Sequence, residues 1–445
     1  MTQPICSFVQ EYAHENILRL HMPGHKGKRM LGPEALDITE ITGADVLYAS
    51  EGIIRKSEET ASALFGSART LFSAEGSSLC IRAMLYLAHL YAARRGRKPR
   101  ILAGRNAHKV FLSAAALLDM EIGWIYPEKS ESLLSGSFSL KRLEEMLEEE
   151  DFTALYLTSP DYLGNVADLA ACAEICHRHG VLFLVDNAHG TYLKFLPDSR
   201  HPPDFGADLC CDSAHKTLPV LTGGAYLHFS CSCPPELMAA GEQAMRLFAS
   251  TSPSYLILQS LDLCNTYLAE TLPKEAPETA HRVAKLKQEL MDEGWKIVGD
   301  EDWKLTLAPK SRGMTGKELA EHLEKQKIFC EFSDPDYLVM MFSPCHCEED
   351  YERVRTALKR LPIRGAVPER PPCCEASKQV LSLRGAMLSP FETLPIHDCL
   401  GRILAMPSVS CPPAVPILVC GEVITEQAIE LFDYYGIRQC DVVSI

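Results

Sequence analysis

From about residue 60 to residue 230 the chain alternates short apolar runs, rich in β-branched residues, with longer stretches whose apolar positions recur every three or four residues. The short runs at 100–103, 122–126, 154–158, 181–185, 208–211 and 225–229 are predicted strands. Between them, 77–95 and 140–150 are predicted helices; Leu140, Leu143, Met146 and Leu147 share one face behind a capping Ser139. Such an alternation predicts an α/β fold with a mostly parallel sheet covered by helices on both faces. Beyond residue 279 the rhythm changes: a charged helix at 281–294 precedes short strands at 295–298 and 305–308, then another helix and strand, a smaller α+β domain. An Arg- and Pro-rich stretch at 362–372 is a predicted linker, and a tail with the apolar run 415–420 follows. The expected division is therefore an amino-terminal segment at 1–55, a large domain at 56–275, a small one at 276–362 and a carboxyl-terminal one at 373–445, with no internal repeat.

Composition narrows the partners. With 445 residues, 47% of them hydrophobic, the chain can bury a large core. Its 44 basic and 59 acidic residues give a net charge of −15, which argues against nucleic acid and anionic membrane as partners and suits a small cationic substrate. The first 20 residues lack a signal peptide's basic start and apolar run, and no apolar stretch is long enough to span a bilayer, so the expected compartment is the cytosol. There the 18 cysteines are expected as reduced thiols. Cys345, His346 and Cys347, with Cys231 and Cys233, come nearest to a metal cluster, but without paired knuckle spacing they read as small buried hydrophobes, and no metal is expected.

Four segments carry candidate chemistry. In VLFLVDNAHG an apolar strand ends in Asp186, with His189 three residues on. Ligands of open α/β sheets gather at the carboxyl ends of strands, and a buried aspartate there needs a cation such as a protonated pyridine nitrogen; a helix-capping Asp is the competing reading. In ADLCCDSAHKTLPVLTGGA, Ser213, His215 and Lys216 follow the next strand closely. A strand-end lysine flanked by hydroxyl and imidazole donors can form a Schiff base while its neighbours bind phosphate. Gly76, Ser77 and Ser78 open a helix whose amino end suits an anion, against a plain serine cap. His108 follows the strand at 100–103 and could stack on a flat ring or be a solvated loop histidine. Dinucleotide, Walker and zinc-protease signatures are absent from the sequence.

In this order the segments resemble the layout of fold type I pyridoxal-phosphate enzymes, and more narrowly the ornithine/lysine/arginine decarboxylase family. The resemblance rests on LHMPGHKG at 20–27, DITEITGADVLYASEG at 37–52, TSPDYLG at 158–164, SAHKTLP, STSPSY at 250–255 and CPPAVPILVCGE at 411–422. It implies that pyridoxal 5'-phosphate is held as a Schiff base on Lys216, with Asp186 on the pyridine nitrogen and His108 on the ring face. Ser77, Ser78, Ser213 and His215 would hold the phosphate, Thr251 would reach a neighbouring subunit's cofactor in a homodimer or higher oligomer, and Glu422 would meet the substrate's basic end. The implied reaction is decarboxylation of a basic amino acid, the proton returning to Cα from Lys216 or His215. Transamination, another lyase reaction or cofactor binding without turnover stays open, since the cofactor apparatus does not dictate which bond breaks. Glu75, Asn187, Ala214, Cys411, Ala414 and Cys420 depart from the commoner pattern; Asn187 stands in place of an acidic residue. The chain resembles compact members without a response-regulator-like domain.

Overall fold

A computed structural model describes residues 2–15, 17–127, 132–361, 364–372, 376–407 and 414–444. Cys411, the first two residues of the expected linker and residues 373–375 of the expected tail lie outside them.

Seven strands form the large sheet: β1 (Arg69–Ser73), β2 (Arg100–Gly104), β3 (Glu121–Ile125), β4 (Ala154–Thr158), β5 (Leu182–Asp186), β6 (Leu209–Asp212) and β7 (Ala225–Phe229). Their order is β1-β7-β6-β5-β4-β2-β3. The pairs β2–β3 and β5–β6 are parallel, and β7 runs antiparallel to both its neighbours. The sheet is thus the mostly parallel one that the apolar runs predicted. Every residue of β5, β6 and β7 is buried, as strands covered on both faces require. Only β1 was not anticipated, because its polar Thr70 and Ser73 break the apolar run. Both are buried with partners: the Thr70 hydroxyl lies 2.8 Å from His228 Nδ1, and Ser73 donates to the Gly76 carbonyl at 2.9 Å.

The chain divides into two compact units. The first comprises residues 1–99, 153–156 and 169–275, the second 100–152, 157–168 and 276–445. In the first unit, helix α1 (Pro4–His14) has no side-chain cap of its own. Asp262, from the helix Tyr255–Glu270, accepts the N–H groups of Ile5 at 3.0 Å and Cys6 at 2.9 Å in its stead. Asp45 does the same for α2 (Ile53–Phe65), accepting Gly52 N–H at 2.8 Å and Ile54 N–H at 3.0 Å. The Tyr255 hydroxyl donates to the carbonyls of Ala44 at 3.0 Å and Asp45 at 2.9 Å, so the motif segments 37–52 and 250–255 meet through hydrogen bonds. The helix α3 (Ser77–Arg94) follows β1.

In the second unit, α4 (Lys109–Leu117) and α5 (Leu140–Glu149) take their places in the α/β alternation; Ser139 caps α5 as predicted, accepting Arg142 N–H at 3.4 Å. A four-stranded antiparallel sheet of β8 (Ile297–Val298), β9 (Lys304–Leu307), β10 (Phe332–Ser333) and β11 (Leu338–Met341) packs Leu305, Leu307, Leu338 and Met340 against Leu286, Leu290 and Leu319, the α+β core expected after residue 279. An antiparallel pair, β12 (Phe391–Pro395) and β13 (Gln439–Val443), packs with Leu404, Leu418 and Phe432 in the tail. The turn TSPDYLG is locked by Asp161, whose carboxylate accepts N–H groups of Gly136, Leu163 and Asn165 at 2.9–3.0 Å.

Cysteines 210 and 211 are fully buried, as expected. Cys231, Cys345 and Cys347 are exposed, which corrects their reading as buried hydrophobes. Cys231 and Cys345 sit in turns and Cys347 caps the start of the helix Glu348–Lys359, where the backbone runs along the surface whatever the side chain prefers. Among the described residues no helix is long and apolar enough to cross a membrane.

Candidate active site

The site in the first unit is built on the carboxyl ends of β5 and β6. Asp186 is the last residue of β5 and is only 3% exposed. Its Oδ2 accepts the Tyr156 hydroxyl at 3.1 Å, its Oδ1 accepts Ala188 N–H at 3.2 Å, and the Cys211 thiol donates to Oδ1 at 3.6 Å. Burial, reinforced by this carboxylate, holds both the Tyr156 phenol and the Cys211 thiol well above their ordinary values, so both stay neutral donors. Neutral donors leave the carboxylate able to take a cationic partner.

After β6 the chain closes a single helical turn, Ala214–Thr217, which directs Lys216 back toward the β5 end. Lys216 Nζ lies 3.1 Å from His189 Nε2, and since an ammonium only donates, Nε2 accepts. His215 Nδ1 lies 2.9 Å from the Gly224 carbonyl, which only accepts, so Nδ1 carries the proton and Nε2 keeps its lone pair. Burial, aided by the charge of Lys216, outweighs that hydrogen bond and lowers the imidazole below its ordinary value.

An anion cradle adjoins these groups. The N-cap of α3 is Gly76, at φ +72°, and it offers no capping side chain. Ser77 and Ser78 therefore sit in the first turn, and the plain serine cap weighed from the sequence is excluded. Ser213 donates its hydroxyl to Ser77 Oγ at 2.7 Å, joining the β6 end to the cradle. Gly76 N–H donates to the Gly223 carbonyl at 2.7 Å. Gly223 has φ +101°, and a Cβ there would press to 3.1 Å on the Ala74 carbonyl and Ile257, so the loop demands glycine at this crossing. Helix-start N–H groups with serine hydroxyls suit a phosphate. Glu75, one of the departures from the family pattern, accepts Ser250 N–H at 2.7 Å and so ties the exposed Thr251 segment beside the cradle.

On the reverse face of the same strand ends lies a group that the sequence reading missed. Asp186 is in register with Cys211, so Asn187 and Asp212, one step further on each strand, point the other way. Asp212 accepts Asn187 Nδ2–H at 2.6 Å, His201 Nε2–H at 3.0 Å and His228 Nε2–H at 3.3 Å, and all four residues are buried. The Cys210 thiol is 3.6 Å from it. His201, Cys210 and Asp212 have ligand-type atoms within 4.8 Å of one another, but these direct hydrogen bonds already use them. Tyr156 was missed too, although a tyrosine inside an apolar strand announces a buried hydroxyl in need of a partner.

The remaining two candidates belong to the second unit. His108 is the N-cap of α4, its Nδ1 accepting Val110 N–H at 3.2 Å, and Lys109 N–H donates to the Ala414 carbonyl at 2.9 Å. Glu422 is 4% exposed, and its Oε2 accepts Val419 N–H at 2.7 Å. Burial raises its carboxyl above the ordinary value, against the charge of Arg105. The Arg105 guanidinium, not singled out from the sequence, donates to the carbonyls of Pro416 and Ile417, each at 2.8 Å, and fixes the tail segment that carries Glu422.

Comparison with known proteins follows the same lines. A sequence model of a family described as Orn/Lys/Arg decarboxylase, major domain, matches residues 3–305. The uncharacterized protein YaaO of Bacillus subtilis is 28% identical over 97% of this chain and 93% of that protein. An arginine decarboxylase of Bacillus subtilis is 29% identical over 96% of this chain and 92% of that protein. In fold, the chain is similar to the Francisella novicida lysine decarboxylase LdcF, with a TM-score of 0.80 and 17% identity over 99% of this chain and 81% of that one.

Proposed function

The chain belongs to the Orn/Lys/Arg decarboxylase family and is a pyridoxal-phosphate-dependent amino acid decarboxylase, and from that premise we propose that it converts arginine, lysine or ornithine to CO2 and the matching amine, feeding polyamine synthesis in the cytosol. The observation that carries the reading is the pairing of Lys216 with His189 at 3.1 Å on the rim where the buried Asp186 ends its strand. The cradle of Gly76, Ser77 and Ser213 fits the phosphate, and Asp186, served only by neutral donors among the described residues, fits a protonated ring nitrogen. Pyridoxal phosphate, when bound, supplies an electron-accepting ring for the electron pair released as the Cα–carboxylate bond breaks.

In this reading each residue has a task. Lys216 holds the cofactor covalently, and His189 orients its amine. Gly76, Ser77, Ser78 and Ser213 bind the phosphate, and His215 joins them when the phosphate's charge keeps its Nε2 protonated. Asp186 holds the proton on the ring nitrogen, so the ring keeps its positive charge. Lys216 Nζ returns a proton to Cα, or His215 does so once its Nε2 has taken up a proton. The family resemblance gives His108 the ring face, Glu422 the substrate's basic end, and Thr251 a role in a partner subunit of a homodimer, with the domain division expected from the sequence. Arginine comes first among the substrates because three relatives matched over nearly the whole chain are arginine decarboxylases.

The test is incubation of the purified, cofactor-loaded protein with arginine, lysine and ornithine in turn, scored for CO2 and the amine. Release of both from one of the three is expected. A keto acid product would replace the reading with transamination, and no product from any of them would refute it.

A further inference from the structure

We propose that Asp212 is a positioning residue for the cofactor lysine, locking the ends of β5 and β6 together from the face of the sheet opposite Asp186. The inference rests on the function proposed above for Lys216 and Asp186. Asp186 ends β5 and Lys216 sits in the turn that follows β6, so their mutual placement depends on how firmly the two strand ends are joined. The last ladder pairing is Asp186 with Cys211, and beyond it Asn187 N–H donates to the Cys211 carbonyl at 2.9 Å. Past that point the Asn187 side chain donates to Asp212 Oδ1 at 2.6 Å, and Asp212 leads directly into Ser213, His215 and Lys216.

An acid, and not an amide, is required at 212. Its two oxygens receive three N–H donors from three directions: Asn187 on Oδ1, and His201 and His228 on Oδ2. Because Asp212 accepts the Nε2–H of His228, the neutral ring leaves Nδ1 to accept the Thr70 hydroxyl at 2.8 Å, and Thr70 Oγ1 in turn accepts the Ser67 hydroxyl at 2.7 Å. An asparagine at 212 has one acceptor oxygen, and its amide would turn hydrogens toward donors. By the same logic position 187 requires the amide, since an aspartate there would set a second carboxylate against the first at 2.6 Å in a site with no solvent exposure. The pair is thus a matched acid and amide, with the acid on the β6 side where the imidazoles are.

A double-mutant cycle tests it. Asn187→Asp, Asp212→Asn and the exchange variant carrying both are measured for melting temperature without cofactor, for the visible absorbance of lysine-bound pyridoxal phosphate, and for kcat and KM separately. Asp212→Asn is expected to lower kcat on the order of tenfold to a hundredfold with KM little changed, as a misplaced reactive group does, and to shift the absorbance titration. Asn187→Asp alone should show the largest fall in melting temperature. The exchange variant should melt no lower than Asp212→Asn, so that Asn187→Asp costs nothing once residue 212 is neutral. If Asn187→Asp does not fold, Asn187→Ala takes its place, and the expected loss is in kcat and absorbance.

Additive effects in the cycle, or natural kcat in Asp212→Asn, would overturn the proposal, as would stoichiometric metal in the purified protein. A coupled cycle with normal absorbance, in a natural chain that releases CO2 from no amino acid, would instead refute the decarboxylase reading and leave the lock in place.

Discussion

Asp186 and Asp212 end neighbouring strands one step apart, and the sheet turns them to opposite faces. On the front, Asp186 takes one hydroxyl, one backbone N–H and a weak thiol donor. On the back, Asp212 takes an amide, two imidazoles and a thiol. Burial alone would raise the Asp212 carboxyl, but His201 and His228 together outweigh it and hold the group well below the usual carboxylate range. The same residue type therefore meets two different surroundings, and the two roles proposed for it follow from them. A carboxylate saturated by the protein holds structure, and one left partly unsaturated is available to a ligand cation.

The contrast breaks most visibly at Lys216. Lys216→Ala should lower decarboxylation by at least about a thousandfold, since the proposed covalent link to the cofactor is made through its amine, while the melting temperature of the cofactor-free protein stays near the natural value. Retained turnover, or borohydride trapping of the cofactor on another lysine, would remove Lys216 from the front-face site. Asp186→Asn comes next, with kcat expected to fall on the order of a hundredfold or more because a neutral amide cannot hold the ring nitrogen's proton. Its melting temperature should drop less than that of Asp212→Asn. The reverse ordering would mean that the front carboxylate is the structural one.

Glu58 extends the comparison to a third buried carboxylate. It accepts Phe72 N–H at 2.9 Å and the Ser50 hydroxyl at 3.4 Å. Burial, only partly opposed by that N–H and by Arg69, raises it from 4.5 to about 8. A raised carboxyl means that the folded state binds the extra proton, so stability is lost as pH rises from the unfolded value through the folded one. The slope approaches about 1.4 kcal/mol per pH unit inside that window. Glu58→Gln should flatten the fall in melting temperature between pH 5 and pH 8, and parallel curves for the two proteins would show that Glu58 is ionised throughout. Asp212 has the opposite sign. Its stabilisation is complete above the ordinary carboxylate range and is lost only as pH falls below it.

How far these assignments could be read from the chain depends on what each needs. Strand positions were legible because β5 and β6 are buried on both faces and write continuous apolar runs, LFLV and LCC, that stop at an acid. The placement of Lys216, Asp186 and the Gly76 cradle at strand ends and a helix start was legible, because the apolar runs and the helical periodicity mark where those elements stop and begin. The reverse-face group was not, because His201, Asp212 and His228 are separated in sequence by loops and a strand, and only the register of β6 with β7, Cys210 against His228, brings them together. β1 was hidden by its polar residues: Thr70 finds its partner His228 far along the chain, and Ser73 turns inward onto the Gly76 carbonyl. The exposure of Cys345 and Cys347 followed from turn geometry that composition does not encode.

The finest test of the comparison is Tyr156, which serves Asp186 but carries no charge. It is fully buried on β4, and its hydroxyl stands 3.1 Å from Oδ2. Tyr156→Phe keeps the ring's packing and removes one donor, so the cost is that of one hydrogen bond to a charged group, about 1.5–3 kcal/mol at most. If that bond serves mainly to aim the carboxylate, the loss should appear as about a tenfold fall in kcat with little change in melting temperature, and the loaded protein should bind its cofactor more weakly. A fall in melting temperature with kcat intact would place Tyr156 with the back-face residues, and the division between a holding face and a reacting face would have to be redrawn at β4.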